Sequence, residues 1–307
     1  MKNPFVSVLI PNYCHASYLN ERIDSILAQT YTNFEIIIMD DCSTDNSRDI
    51  IESYRSNPHV SSIVYNTINS GSTFNQWDKG MSIAKGDLIW IAESDDSCKP
   101  ELLERLVEQF EKYDNLAVAY VQSVLINAKG EVIQAPTEVG KPVVHDGIDF
   151  IRKHMLYGTA IINASQAVFN REKALKIDRC FRNYKSVGDW MFWVLMCETG
   201  NVAQIKEPLN LFRRYEGTVT EINAYNGISE THIKSIIDYI YQKGVISQYA
   251  YNLQRMITLS KIRKKQYANE NIKNKLLHLW DQPHITIFFA LKARVIEGIK
   301  RRIKNRL

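Results

Sequence analysis

Two short apolar runs in this chain each end in a pair of aspartates, and that limits the possible folds more than any other feature. Leu88-Ile89-Trp90-Ile91 follows Gly86-Asp87 and leads through Ala92-Glu93-Ser94 into Asp95-Asp96. Upstream, Phe34-Glu35-Ile36-Ile37-Ile38-Met39 runs directly into Asp40-Asp41. Short runs rich in strand formers predict buried strands. Acids at the carboxyl ends of such strands lie where open α/β sheets bind their ligands. Two of them predict a polar, metal-ready crevice at one edge of a parallel sheet, a suitable place for a nucleotide diphosphate.

The pattern around these runs alternates strand and helix over about the first 115 residues. Val6–Ile10 and Ile63–Asn66 read as further strands. Leu19, Ile23, Ile26 and Leu27 share one helical face between them, and Trp77, Met81 and Ala84 share another after Ile63–Asn66. Pro100 suits the first turn of a helix whose apolar stripe is Leu102, Leu103, Leu106, Val107 and Phe110. Repeated β-α units predict a doubly wound, mostly parallel sheet with right-handed crossovers. After residue 116 the pattern changes to a hairpin, Ala117–Ile126 with Glu131–Gln134. The stretch from Ala135 to Val144 reads as loop, Ile161–Phe169 and Val202–Ile205 as strands, and Asp189–Glu198 as a helix. From about Asn226 the chain reads as helical to its end.

Bulk properties narrow the classes. The five cysteines are scattered, odd in number and lack a C-x-x-C pair, so a reduced, cytosolic chain without a disulfide framework or structural zinc is expected. No stretch approaches the roughly 20 apolar residues of a membrane span. The formal charge of +4 is uneven: residues 284–307 carry +6, leaving about −2 elsewhere. Basicity confined to one amphipathic terminus disfavours a nucleic-acid binder. No dinucleotide fingerprint, phosphate loop or Ser-His-Asp arrangement can be argued, and the seven histidines show no ligand spacing.

Several motifs stand in a telling order. Val6-Ser7-Val8-Leu9-Ile10-Pro11-Asn12-Tyr13 comes first, then Ile38-Met39-Asp40-Asp41-Cys42-Ser43-Thr44-Asp45, then Asn69-Ser70-Gly71 and Gly80 to Gly86-Asp87. Ala92-Glu93-Ser94-Asp95-Asp96, Val187-Gly188-Asp189-Trp190 and Arg213-Arg214-Tyr215-Glu216-Gly217-Thr218-Val219-Thr220 follow. Each is weak alone, but the order resembles the large family of inverting glycosyltransferases with the GT-A fold (family 2 type), in its bacterial surface-polysaccharide branch. The likeness spans roughly residues 5–220. It departs from the family at Cys42, where glycine is usual, at Gly188, often Glu, and at Tyr215, often His.

The resemblance implies roles. Pro11 and Tyr13 wall the nucleobase, and Asp41 accepts a base N–H; a uracil or thymine N3–H suits it. Asp95 lies near the ribose, and Asp96 holds Mn²⁺ or Mg²⁺, a hard cation that takes one or two carboxylates plus substrate phosphates. Arg213 and Arg214 are candidates to steady the diphosphate, with at most one expected to reach it. Asp189 is the expected general base for an in-line displacement. Trp190, Asn163 and Ser165 are candidate acceptor contacts. Each residue also has a plainer use: Asp189 as a helix cap, Asp95-Asp96 as a capping turn, Trp190 as core, the arginines as a surface pair.

The expected architecture is therefore a GT-A α/β catalytic domain over 1–222, with a nucleotide-binding N-terminal half, and a helical region over 223–307. The expected activity is transfer of a hexose from a UDP- or dTDP-sugar to a saccharide acceptor on a polyprenyl lipid. Residues 284–307, as a basic amphipathic helix, suit an anionic surface on the inner face of the cell membrane. Alternatives are a non-catalytic nucleotide- or glycan-binding protein of the same fold and, with less support, a sugar-nucleotide nucleotidyltransferase.

Overall fold

In the computed structural model the N-terminal strands form one side of a 10-stranded mixed sheet. The structure describes residues 1–137, 139–215 and 219–281, with 219 and 220 by backbone alone. In chain order come β1 (Val6–Asn12), α1 (Ala16–Leu27), β2 (Phe34–Asp40), α2 (Ser47–Ser53), β3 (Val60–Tyr65) and α3 (Thr73–Ile83). Then follow β4 (Leu88–Ile91), β5 (Ser97–Cys98), α4 (Leu102–Lys112), β6 (Leu116–Ile126), β7 (Val132–Gln134) and β8 (Gly140–His145). After α5 (Gly147–Phe150), β9 (Ala167–Asn170) and α6 (Arg171–Lys176) come α7 (Gly188–Cys197) and β10 (Asn201–Arg213). The described chain closes with α8 (Val219–Tyr225), α9 (Ile228–Gln242), α10 (Gln248–Lys264) and α11 (Glu270–Trp280).

The strand order is β3-β2-β1-β4-β9-β6-β10-β5, with β7 paired to β6 and β8 to β10. β3, β2, β1 and β4 are parallel, β9 runs against β4 and β6, and β10 is parallel to β6. The N-terminal half is the expected doubly wound parallel sheet, while over the whole sheet four pairings are parallel and five antiparallel. Both faces are covered, so β1, β2 and β4 are buried along their whole lengths and read as continuous apolar runs. One face packs Val8, Ile36 and Trp90 on Leu19, Ile23 and Ile26 of α1 and on the stripe of α4. Against the other, α3 lies very close: a Cβ at Gly80 would sit 2.8 Å from Leu9 Cδ1 and from Met39 Cε. Gly86 is closer still, its Cβ position being 2.5 Å from the backbone nitrogen of Ser7. Only glycine lets β1 and the entry to β4 meet at that point.

Three elements differ from the sequence reading. The stretch read as loop contains β8, antiparallel to β10. The strand expected over 161–169 starts only at Ala167, because Ala164–Gln166 turn as a 3₁₀ helix. The strand expected over 202–205 extends to the 13 residues of β10, with Pro208 between two register shifts.

The chain divides into two compact units that do not follow one linear boundary. The first comprises Met1–Phe150, Ile161–Arg182 and Phe192–Tyr215; the second takes Ile151–Ala160, Asn183–Met191 and the chain from Glu216 on. Within the second unit, Glu230 accepts Lys265 Nζ at 2.6 Å and Tyr267 Oη at 3.0 Å, and its carbonyl accepts the Trp280 indole N–H. Arg255 donates to the carbonyl of Trp280, which satisfies the end of α11. No helix among the described residues is long and apolar enough to cross a membrane. The basic segment 284–307 lies outside the described residues.

Candidate active site

The carboxyl ends of β1, β2 and β4 bring the two acid pairs to one edge of the first unit. After β2, the backbone turns through Cys42 at φ +63°, and after β1 through Cys14 at φ +55°. Both lie in the left-handed region that glycine enters without a Cβ penalty, which accounts for glycine being usual at the place of Cys42. Asp40 is fully buried, accepting Asn12 Nδ2 at 3.0 Å and the Ser43 N–H at 3.1 Å, so it holds the loop. Pro11 is buried in β1, while Tyr13 is 49% exposed and offers a free ring face at the loop.

Asp41 sits in a nest of donors. Its Oδ1 accepts Asn66 Nδ2 at 2.6 Å, Ser70 N–H at 2.9 Å and Gln76 Nε2 at 2.8 Å; its Oδ2 accepts Ser70 Oγ at 2.7 Å. The same Asn66, Ser70 and Gln76 help line an open cleft of about 440 Å³ at the end of β3, with Tyr65, Asn75 and Lys79.

The second acid pair splits. Asp96 is fully buried. Its Oδ2 accepts Ser165 Oγ at 2.6 Å and Asn163 Nδ2 at 2.9 Å, and its Oδ1 accepts the backbone N–H of Arg213 at 2.9 Å. Three protein donors thus occupy the buried carboxylate to which the resemblance gave the metal. Asn163 and Ser165, read as acceptor contacts, spend their polar atoms inside the protein on that carboxylate.

Asp95 is the more open member. Tyr215 Oη donates to its Oδ2 at 3.1 Å, and the other carboxylate oxygen has no donor among the described residues. Glu93 follows the end of β4, where its Oε1 accepts the Trp77 indole N–H at 3.0 Å. Burial, with Asp95 and Asp96 close by, pushes the Glu93 carboxyl up to about 8. Burial and Asp95 likewise raise Asp96 above the usual carboxylate range. Beneath them, the Arg22 guanidinium is fully buried, 4.9 Å over the Trp90 ring, with no hydrogen-bond partner among the described residues. It lowers both carboxyls through space. Arg22 escaped the sequence reading; its signal was a charge three residues from Leu19 on the apolar face of α1.

Crowded acids with raised carboxyls are the chemistry that a divalent cation relieves. Among the described residues, no group of three His, Cys, Asp or Glu side chains is placed to hold a metal ion alone. Asp95, one of whose carboxylate oxygens meets no donor among the described residues, fits such an ion together with phosphate oxygens.

The arginines also part ways. Arg213 is 3% exposed and uses its guanidinium on Glu21 Oε2 at 2.6 Å, the Asp95 carbonyl at 2.7 Å and the carbonyls of Asn127 and Ala128. These four bonds make it a brace of the site. Arg214 is exposed, its guanidinium over the Phe212 ring.

Asp189 and Trp190 belong to the second unit, on the first turn of α7. Burial pushes the Asp189 carboxyl up to about 6, while the N–H groups of Trp190 and of Asp189 itself hold it down in part. Val187, just before this turn, has φ +53°, a strained conformation for a β-branched residue. Trp190 is 4% exposed, and its indole N–H has no partner among the described residues.

The profile of Glycosyl transferase family 2 matches residues 7–177. The chain belongs to glycosyl transferase family 2. It is 28% identical over 241 residues to an uncharacterized glycosyltransferase of Nostoc sp., covering 75% of this chain and 70% of that protein. It is 36% identical over 105 residues to a putative teichuronic acid biosynthesis glycosyltransferase of Bacillus subtilis, covering 34% of this chain and 41% of the other. Over 131 residues it is 34% identical to a chondroitin synthase of Pasteurella multocida, covering 42% of this chain and 13% of that protein. Among solved structures, S. aureus TarS 1–349 in complex with UDP-GlcNAc superposes with a TM-score of 0.61 at 17% identity, covering 89% of this chain and 70% of that one. The fold is thus GT-A.

Proposed function

We propose that this glycosyltransferase moves a hexose, with inversion, from a UDP- or dTDP-sugar to a growing surface glycan on a polyprenyl carrier at the inner face of the cell membrane. The observation that carries this reading is the pairing of Asp41 beside an open cleft with Asp95 at the next ligand-binding strand end. Relatives named for teichuronic acid and chondroitin synthesis support a polysaccharide product. TarS in complex with UDP and with UDP-GlcNAc supports a uridine nucleotide.

In this mechanism the base lies against Tyr13 with its N3–H toward Asp41. Asp95 faces the diphosphate, and exposed Arg214 adds a cation nearby. Mn²⁺ or Mg²⁺, when bound, supplies charge neutralisation for the departing diphosphate. Asp189 takes the proton of the acceptor hydroxyl as that oxygen attacks the anomeric carbon. A carboxyl raised to about 6 suits a base near neutral pH and speaks against a protein that only binds. Trp190 offers its ring and its unpaired N–H to the acceptor sugar.

Calorimetric titration of UDP and dTDP, each with Mn²⁺ and with chelator, tests this reading. Metal-dependent binding of either nucleotide is expected. A folded sample that binds neither overturns it.

A further inference from the structure

Asp95 is held by a relay of side chains that begins and ends on the acid motif. Ser94 Oγ lies 2.8 Å from His15 Nδ1, His15 Nε2 lies 3.3 Å from Tyr215 Oη, and Tyr215 Oη donates to Asp95 Oδ2 at 3.1 Å. A phenol has one proton, and here it is committed to the carboxylate. Its oxygen therefore meets His15 only as an acceptor, so Nε2 carries the imidazole proton. In the neutral ring Nδ1 is then an acceptor, and the Ser94 hydroxyl donates to it. The bonds run in one direction, from Ser94 through His15 and Tyr215 to Asp95.

His15 stands at the N-cap of α1, yet its side chain makes no cap bond. The adjoining Ala16 N–H is served by Asp45 instead. Both ring nitrogens of His15 are thus left for the relay. From the other side, the Tyr215 ring lies 6.0 Å from the Tyr18 ring, and Arg213 stacks over Tyr18 at 4.6 Å. Glu93 and Asp96 crowd Asp95, and the Tyr215 hydroxyl gives its carboxylate one preferred orientation.

We propose that His15 is a positioning residue that fixes the Tyr215 hydroxyl and, through it, the Asp95 carboxylate that meets the nucleotide diphosphate and its cation. This rests on the function proposed above, in which Asp95 is the open carboxylate.

The test is UDP affinity by calorimetry, with Mn²⁺ and with chelator, for the full chain and for His15→Ala, Tyr215→Phe and the double variant. Each single change should weaken Mn²⁺-dependent binding about tenfold, the effect of losing one hydrogen bond to a charged group. The double variant should be no weaker than about tenfold, because both changes cut one relay. Binding with chelator should be the same in all four, a result that a general structural defect would not give. Wild-type affinity in His15→Ala overturns the proposal, as do single losses that multiply to about a hundredfold. If His15→Ala does not fold, Ser94→Ala paired with Tyr215→Phe cuts the same relay and is judged by the same criteria. Asp95→Asn separates the two readings. If it leaves Mn²⁺-dependent binding intact, the assignment of the site fails; if it abolishes binding while His15→Ala does nothing, only the relay fails.

Discussion

Asp96 Oδ1 accepts the backbone N–H of Arg213 at 2.9 Å, tying the end of β10 to the loop after β4 across 117 residues of chain. Its other oxygen takes Asn163 and Ser165. Asp95 faces the opposite way, toward Tyr215. One pair of adjacent acids therefore divides its labour: the second holds three segments together, and the first, in the proposed function, is left to meet ligand.

That division is measurable. Asp96→Ala leaves three buried donors unpaired and should cost about 3 kcal/mol of stability or more, read as a lowered Tm. Asp95→Asn should leave Tm nearly unchanged while weakening Mn²⁺-dependent UDP binding at least about tenfold. Equal losses of Tm in the two variants would refute the division.

Asp189→Asn should keep UDP affinity and lower kcat roughly a thousandfold, within the usual worth of a general base. The base works deprotonated, so wild-type kcat/KM should fall tenfold per pH unit below about 6 and level off above it. The same shift has a sign for stability. Folding raises this carboxyl from 3.8 to about 6, so the native state binds the extra proton in that window. Its stabilising effect is therefore greatest at low pH and is lost as pH rises through about 6, a slope that Asp189→Asn should remove from pH-dependent unfolding. An unchanged pH–rate profile in the variant would exclude Asp189 as the base.

Trp190→Ala should raise acceptor KM about tenfold with donor affinity intact, as expected when a base- or sugar-stacking ring is removed. Trp190→Phe keeps a six-membered ring and loses the pyrrole half of the indole with its N–H. A Phe variant as weak as Ala would assign the contact to that half, and wild-type KM in both would confine Trp190 to the core.

Removing residues 284–307 should abolish binding to vesicles containing anionic lipid and leave UDP binding as it was. The full chain's vesicle affinity should fall with added salt, because a charge of +6 is being screened. Co-sedimentation with vesicles of graded anionic content measures both. Equal sedimentation of the two proteins would reject the membrane role.

The N-terminal strands were legible because burial on both faces leaves an unbroken apolar signature, as in Ile36-Ile37-Ile38-Met39. β10 was legible only in part. Lys206-Glu207-Pro208 breaks its apolar run, yet Pro208 sits at a register shift where the lost N–H is not missed. β8 is mostly exposed, so Lys141-Pro142 reads as loop although its backbone pairs with β10. In the site, residue types marked the acids but not the orientation of each side chain. Nothing in Asp95-Asp96 says which carboxylate turns inward; that depends on Asn163, Ser165 and Arg213, which arrive from distant segments. His15 was passed over for the same reason, since its partners Ser94 and Tyr215 are remote in sequence.

The tether between Asp96 and Arg213 also bears on the order of events during synthesis. A nascent chain that has emerged only as far as β6 already holds every strand of the nucleotide half. It still lacks the amide that Asp96 needs, and a buried carboxylate short of its donors is costly. Closing so long a loop costs entropy before the contact repays it. The end of β4 that leads to Asp95 and Asp96 therefore lacks one of its ties until residue 213 is in place, and a chain stopped short of it carries the parallel half of the sheet with that acid pair unfinished.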